Sequence, residues 1–183
     1  MILTIAALSL LIWLNCLLFR GQYWRANTTD ETAAPEPADW PSIVAVIPAR
    51  NEEDSIAQTL RSLLAQDYPR RFSVILVDDN SEDQTAAIAE RVRKETASRV
   101  GLTIMPGAAL PQQWTGKLWA VHQGIEAATR MQPDYLLLTD ADIVYEPKVL
   151  RWLAAHSCAR GLVLTSLMAK LRCESFAERA FIP

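Results

Sequence analysis

The sequence predicts an α/β domain whose mostly parallel sheet carries helices on both faces. Three observations predict this class: short apolar runs rich in β-branched residues, segments of helical period between them, and polar or acidic residues directly after several runs. Nearly continuous apolar character is typical of strands that are buried on both faces. Five runs are predicted to be strands: 42–49, 72–79, 102–107, 135–142 and 162–168.

Helical periodicity fills the intervals between these runs. The helix after the first strand has its apolar residues on one face: Ile56, Leu60, Leu63 and Leu64. A later helix is predicted to pack through another such set: Leu118, Val121, Ile125 and Ala128. Ligands bind such sheets beyond the carboxyl ends of the strands, so we expect the functional residues directly after the apolar runs.

The amino-terminal residues 1–25 predict a transmembrane anchor followed by an interface belt. Residues 1–19 contain no charge, and a helix of this length spans roughly the hydrocarbon core of a bilayer. A cleaved signal peptide is the alternative, but a basic leading segment and a small-residue cleavage site before Arg20 are both missing. Positive charge at Arg20 and Arg25 predicts that the downstream chain is cytoplasmic. Residues 26–39, acidic and with two prolines, predict a linker.

Composition limits the partners. The chain has 183 residues, enough for one domain with a sizeable core. Its net charge of −3, without a basic cluster, argues against nucleic acid as a partner. Three cysteines without a CxxC pattern agree with a reducing compartment.

Carboxylates follow the predicted strands at positions where many nucleotide-binding proteins have glycine-rich phosphate loops. No GxGxxG follows the first strand, and Gly116-Lys117 lacks the rest of a P-loop. Asp140 and Asp142 are expected on the same side of an extended strand, where they repel each other unless a cation lies beside them. This pattern favours phosphates held by a hard divalent cation, although a solvent-exposed turn at the two aspartates is the simpler alternative.

Four motifs in order, PARNEE, VDDNS, a GK pair opening a helix, and TDAD, carry a family resemblance. Together they resemble the donor-binding half of family 2 glycosyltransferases with the GT-A fold. Longer stretches, WTGKLWAVHQG, YLLLTDADI and SLMAKLRCESFAER, resemble more narrowly the hopanoid-biosynthesis-associated glycosyltransferases of bacteria. The resemblance implies that residues 40–170 are a nucleotide-sugar-binding half-domain.

The resemblance also implies a role for each matching residue. The donor-binding set is Pro48, Ala49, Asn51, Glu52, Asp79, Lys117 and Asp140. Within it, Asp79 would accept a hydrogen bond from the base and Lys117 would reach the base or the diphosphate. Asp142, with Asp140 nearby, would ligate Mg²⁺ or Mn²⁺.

Simpler interpretations remain for several of these charges. Lys117 taken alone is more often a surface charge, and Arg50 with Glu53 could form a solvated pair. Acidic residues after strands also act as helix N-caps, and this interpretation is favoured for three of them: Asp54, Asp78 and Asp83.

The resemblance implies an inverting transfer of sugar from a nucleotide-diphosphate donor, a UDP-sugar, to a lipid or lipid-linked acceptor at the cytoplasmic face of the inner membrane. The family's general base lies in the second half of the fold, and nothing after residue 168 matches that element. We therefore expect no catalytic base here, a truncated helix starting within 171–183, and poor transfer by this chain. The alternatives are a membrane-tethered nucleotide-binding or assembly subunit without chemistry, and a sugar-nucleotide pyrophosphorylase, which lacks support because its G-x-G-T-R signature is missing.

Overall fold

The computed structural model describes residues 2–19, 34–96, 99–167 and 169, without the side chains of Ile2 and Leu17. The chain divides into two units. The larger unit is Ala34–Leu167, and the other consists of Met1–Ala33 and Met168–Pro183. Most of the predicted linker and the predicted helix start at 171–183 lie outside the described residues.

The smaller unit contains one described helix, α1 (Ile2–Phe19), which is 18 residues long and has no charged side chain. Its large apolar side chains, including Leu3, Trp13 and Phe19, are exposed. Across the described residues, no helix combines the length and the apolar character needed to cross a membrane. The structure therefore does not support the predicted transmembrane anchor.

The larger unit is built on a parallel sheet. Its four described strands are β1 (Ile43–Ala49), β2 (Phe72–Asp78), β3 (Gly101–Pro106) and β4 (Tyr135–Leu138). They lie in the order β3-β2-β1-β4, and every neighbouring pair is parallel. The predicted parallel sheet is confirmed, with β1 between β2 and β4.

Helices cover both faces of this sheet, as predicted. They are α2 (Ile56–Leu64), α3 (Thr85–Glu95), α4 (Gly116–Thr129) and α5 (Val149–Arg160). Alternate side chains of β1 point to opposite faces. Ile43 and Ile47 join the core that contains residues of α2, α3 and α5, whereas Val44 and Val46 join the core that contains residues of α4.

The predicted face of α2 is confirmed, whereas the predicted face of α4 is confirmed only at Ala128. The four apolar residues predicted for α2 are all buried. In α4, by contrast, Leu118 is 61% exposed, and the helix is buried through Ala120, Gly124 and Ala128. A Cβ added to Gly124 would lie 2.3 Å from Val46 Cγ1, so small residues allow α4 to approach the sheet closely.

The prediction for β4 was four residues too long. The strand ends at Leu138, and a turn includes Ala141 and Asp142. The extended-strand argument for the two aspartates is therefore wrong in its geometry. Even so, Asp140 and Asp142 are both exposed, on either side of buried Ala141.

The predicted fifth strand is also wrong for its described part, residues 162–167. After Gly161, which ends α5 in the left-handed region at φ 62°, the segment contacts the edge strand through a side chain. Tyr135 Oη donates a hydrogen bond to the Leu162 carbonyl oxygen at 3.2 Å. Strands form by pairing backbone groups across a ladder, and a largely apolar sequence does not supply that pairing by itself.

Candidate functional site

A cavity of about 340 Å³ lies where the carboxyl ends of β1, β2 and β4 approach the start of α4. The connections from β1 run outward through β2 to β3, whereas β4 pairs on the other side of β1. This reversal between β1 and β4 is the position at which open α/β sheets bind ligands. The cavity is lined by Pro48, Ala49, Arg50, Glu52, Asp79, Gly116, Lys117, Ala120, Asp140 and Ala141.

Two loops beside the cavity are joined by reciprocal hydrogen bonds. Asn51, after β1, donates its backbone N–H to Ser81 Oγ at 3.0 Å, and its side-chain oxygen accepts the Glu82 N–H at 2.9 Å. Both loops contain an asparagine in the left-handed region, Asn51 at φ 55° and Asn80 at φ 54°. Asparagine tolerates that region better than most residues. The cross-bonding fixes the loop after β1 against the loop after β2.

Asp83 organises the start of α3. Its carboxylate accepts hydrogen bonds from the Thr85 N–H at 2.9 Å and from the Glu53 N–H at 3.1 Å. Burial raises the pKa of the Asp83 carboxyl, but hydrogen bonds from Thr85 and Glu53 outweigh that effect, and the pKa lies below its ordinary value. Asp83 thus serves at a helix start, as its sequence position indicates.

Asp79 is the buried carboxylate of the cavity, with 7% of the residue exposed. Its N–H donates to the Ala49 carbonyl oxygen at 2.8 Å, which ties the end of β2 to the end of β1. Its Oδ2 lies 3.8 Å from Arg50 Nη1. A Cβ added to Gly116 would lie 2.8 Å from the same oxygen, so any larger residue at the first position of α4 would require this carboxylate to move.

A second ion pair lies at the exposed side of the cavity. Lys117 Nζ lies 2.7 Å from Asp140 Oδ1, and both side chains are more than half exposed. Such a pair adds little to the stability of the fold, because water screens it. The pair instead places the Lys117 ammonium and the Asp140 carboxylate together at the wall of a cavity large enough for a ligand.

The loop that contains Asp140 and Asp142 has an internal side-chain hydrogen bond. Tyr145 Oη donates to Thr139 Oγ1 at 2.5 Å, directly before Asp140. Burial raises the pKa of the Tyr145 phenol, the bond to Thr139 lowers it in part, and the charge of Asp140 raises it further, so the pKa lies above its ordinary value. The phenol is therefore a neutral hydrogen-bond donor at neutral pH.

Most of the predicted donor-binding residues come together in the cavity: Pro48, Ala49, Glu52, Asp79, Lys117 and Asp140. Asn51 and Asp142 are not among its lining residues in the part of the chain that the structure describes. The Asn51 side chain bonds to the neighbouring loop instead, and Asp142 is exposed. The binding roles of all eight residues stay predictions.

Four lining residues were missed by sequence reasoning: Arg50, Gly116, Ala120 and Ala141. Arg50 stands inside PARNEE and Ala141 inside TDAD, so their positions within the motifs were a usable signal. Gly116 was recognised as part of the GK pair but not as a lining residue, because its proximity to Asp79 depends on the folded structure.

The carboxylates fit a divalent cation whose shell is completed by a ligand. In the described ranges, no group of three or more His, Cys, Asp or Glu is arranged to hold a metal ion. Mg²⁺, however, is commonly bound through one or two carboxylates together with substrate phosphates. Asp140 and Asp142 supply two oxygen donors of this kind.

Comparisons with known proteins agree on one family. A family model described as glycosyl transferase family 2 matches residues 44–180. An N-acetylglucosaminyltransferase of Rhizobium leguminosarum bv. viciae is 30% identical over 183 residues, which is 96% of this chain and 41% of that protein.

Two solved structures are similar in fold. The mannosyltransferase PcManGT from Pyrobaculum calidifontis, in complex with GDP-Man and Mn²⁺, matches with a TM-score of 0.60 and 25% identity over 83% of this chain and 42% of that chain. TarS 1–349 of S. aureus, in complex with UDP, matches with a TM-score of 0.52 and 27% identity over 64% of this chain and 32% of that chain. This chain therefore spans about two fifths or less of these three proteins.

Proposed function

The chain belongs to glycosyl transferase family 2 and has the GT-A fold, and from that premise we propose that its cavity binds a nucleotide-diphosphate sugar, a UDP-sugar, for transfer to an acceptor. One observation carries the proposal. Asp79, Lys117 and Asp140 come from three different elements and converge on a single cavity at the reversal point of the sheet. The order of these residues along the sequence does not require that convergence.

Asp79 is proposed to recognise the base. An ionised carboxylate only accepts hydrogen bonds, and the imide N–H of uracil donates one. Because Asp79 is nearly buried and its backbone is tied to β1, a base that bonds to it would be held in a fixed orientation. Guanine also carries a ring N–H donor, so the UDP preference rests on the likeness to the UDP-bound TarS structure. Direct competition between nucleotides tests that preference.

The diphosphate is proposed to lie between the start of α4 and Asp140. The N–H groups at a helix start attract anions, and Lys117 adds a full positive charge beside them. Asp140 and Asp142 would hold Mg²⁺ or Mn²⁺, which when bound stabilises negative charge on the departing diphosphate. The likeness to the GDP-Man and Mn²⁺ complex supports this choice of cation.

The proposal assigns no general base to this chain. An inverting transfer needs a group that takes the proton from the acceptor hydroxyl. Glu52 and Asp140 line the cavity, but Asp140 is proposed to hold the cation, and Glu52 Oε2 accepts a hydrogen bond from Ser55 Oγ at 2.9 Å. We therefore assign the base to a part of the family fold beyond residues 40–170.

We propose a lipid or lipid-linked acceptor, reached at the cytoplasmic face of a bacterial inner membrane. The exposed apolar surface of α1 supports an association with lipid, because contiguous apolar surface of this kind marks membrane or protein contacts. The narrower resemblance to hopanoid-associated enzymes supports a hopanoid acceptor as the first lipid to test.

The test is calorimetric binding of UDP and GDP to the detergent-solubilised chain, with and without Mn²⁺, alongside Asp79→Asn. The proposal predicts saturable binding that is tighter for UDP, stronger with Mn²⁺ and weakened by the substitution, since the amide keeps one accepting oxygen but loses the charge that strengthens the hydrogen bond to the base. A folded chain that binds neither nucleotide would overturn it and favour a non-catalytic assembly subunit. Tighter binding of GDP would correct the donor class alone.

A further inference from the structure

A row of polar side chains runs along α2 and just past its end, on the side that meets the segment after β4. We call this row, Thr59, Ser62 and Gln66, the polar ladder. Its first member, Thr59, is fully buried. Thr59 Oγ1 donates a hydrogen bond to the Ala141 carbonyl oxygen at 2.8 Å.

The other two members continue along the same segment. Ser62 Oγ accepts the Tyr145 N–H at 3.1 Å. Gln66 Nε2 donates to the Glu146 carbonyl oxygen at 2.8 Å, and Gln66 Oε1 accepts the Leu150 N–H at 3.0 Å. The ladder thus fixes the backbone from Ala141 to the start of α5.

The bond made by Thr59 lies closest to the proposed chemistry. Ala141 lines the cavity and separates Asp140 from Asp142 in sequence, and the bond to its carbonyl oxygen fixes the Ala141–Asp142 peptide plane, directly between the two carboxylates. A buried hydroxyl lowers stability unless it is hydrogen-bonded, and valine would fill nearly the same space without that requirement. The Thr59 hydroxyl is therefore the group through which α2 holds the Ala141 carbonyl.

We propose that Thr59 is a positioning residue that sets the placement of Asp140 and Asp142 for the divalent cation. Thr59 does not line the cavity and acts through the Ala141 carbonyl. This inference rests on the proposed donor-binding function and deepens it. It predicts that removing the hydroxyl weakens the cation-dependent part of UDP binding and spares the cation-independent part.

The experiment compares Thr59→Val, Thr59→Ser and the matched control Thr129→Val in the full chain. Thr129 makes its hydroxyl bond within α4, to the Ile125 carbonyl oxygen at 2.8 Å, and is exposed. The readouts are the Mn²⁺ concentration that gives half-maximal UDP binding, the UDP affinity without Mn²⁺, and the midpoint of thermal unfolding. For Thr59→Val we expect the Mn²⁺ midpoint to rise about tenfold or more, as is typical when a supporting bond of a metal site is lost.

The remaining variants separate positioning from packing. Thr59→Ser keeps the hydroxyl and should keep the wild-type Mn²⁺ midpoint even if its thermal midpoint falls, and Thr129→Val should match the wild type in both. If Thr59→Val does not fold, Thr59→Ser decides: a wild-type Mn²⁺ midpoint supports the inference and a raised one overturns it.

Two results would overturn the inference while leaving the proposed function intact. One is a wild-type Mn²⁺ midpoint in Thr59→Val, and the other is an equal loss of UDP affinity with and without Mn²⁺, which would indicate a purely structural role. A wild-type chain that does not bind UDP at all would instead overturn the proposed function, and the inference with it.

Discussion

The two sides of the cavity are built differently. On the side of Asp79, the loops after β1 and β2 bond to each other, and the carboxylate is nearly buried. On the side of Lys117 and Asp140, the charges are more than half exposed and bond to each other. The side of Asp79 is therefore held in place before any ligand binds, whereas the exposed side chains of Lys117 and Asp140 can rearrange; under the proposed function the first side would receive the base and the second the diphosphate and the cation.

Replacing Gly116 with alanine should produce the largest effect, because it disturbs the preorganised side. The new Cβ would lie 2.8 Å from Asp79 Oδ2 and would force the carboxylate to move. A hydrogen bond to a charged group contributes about 1.5–3 kcal/mol, so losing the bond between the displaced carboxylate and the base should raise the UDP dissociation constant about tenfold to a hundredfold. Calorimetry measures this change.

Gly101→Ala is the matched control for that experiment. An added Cβ there would meet only Ser73 Oγ, at 3.7 Å, an ordinary contact distance. UDP affinity should match the wild type. Equal affinities for the Gly116 and Gly101 variants would contradict the crowding between α4 and Asp79.

Asn51→Ala should come next and should act on stability. The variant loses the bond to the Glu82 N–H and places alanine in the left-handed region, which together cost about 1–2 kcal/mol of unfolding free energy. Urea unfolding measures this cost. Asn51→Gly, which adopts that region freely, isolates the side-chain bond and should lose less.

The same variants also test the donor role predicted for Asn51. A structural role lowers stability and leaves UDP affinity nearly unchanged. If Asn51→Ala instead abolished UDP binding at wild-type stability, Asn51 would contact the donor directly and the cross-bonded loops would not be its main contribution.

Lys117→Ala should have a smaller effect, on the exposed side. Exposed ion pairs contribute about 0.2–1 kcal/mol, so UDP affinity should fall by up to about fivefold. The loss should shrink as salt rises, since mobile ions screen exposed charges. Uridine, which has no phosphate, should bind the variant and the wild type equally; a matching loss for uridine would place Lys117 at the base.

The smallest effect is expected at Asp134, at the amino ends of β1 and β4, far along the sheet from the cavity. Hydrogen bonds from the Ser42 N–H at 2.7 Å and Ser42 Oγ at 2.8 Å hold the pKa of Asp134 below its ordinary value of 3.8. A lowered folded-state pKa means that the carboxylate stabilises the fold above the ordinary pKa and loses that contribution as pH falls through the lowered value.

Asp134→Asn tests the predicted direction of this pH dependence of stability. The variant should unfold at a lower temperature than the wild type at neutral pH, and the gap should close in acid. UDP affinity at neutral pH should be unchanged. A difference in unfolding temperature that widens as pH falls would contradict the lowered pKa of Asp134.

Sequence reasoning recovered the features set by local patterns. The apolar runs of β1 and β2 and the buried face of α2 follow from periodicity, and strand-end polar residues indicated the cavity correctly. Sequence reasoning missed the features that depend on contacts between different helices and strands. The need for a small residue at Gly124 depends on Val46, which belongs to another element, and residues 162–167 resemble a strand in composition but form no ladder within the described chain.

The Thr59 bond belongs to this second group as well. A threonine on the buried face of a helix reads as a core residue until Ala141, far away in sequence, is seen to accept its hydrogen bond. The carboxylate pair was recognised by type, but its placement after the end of β4 was not, since strand length does not follow from apolar character alone.

A crystal structure of the chain with UDP and Mn²⁺ would show directly whether the cavity binds the donor. We predict uracil within hydrogen-bonding distance of Asp79, the diphosphate beside Lys117 and the start of α4, and Mn²⁺ between the phosphates and the Asp140–Asp142 pair. Well-defined UDP bound away from these residues, or bound there with the base beside Asp140 and the phosphates beside Asp79, would contradict it.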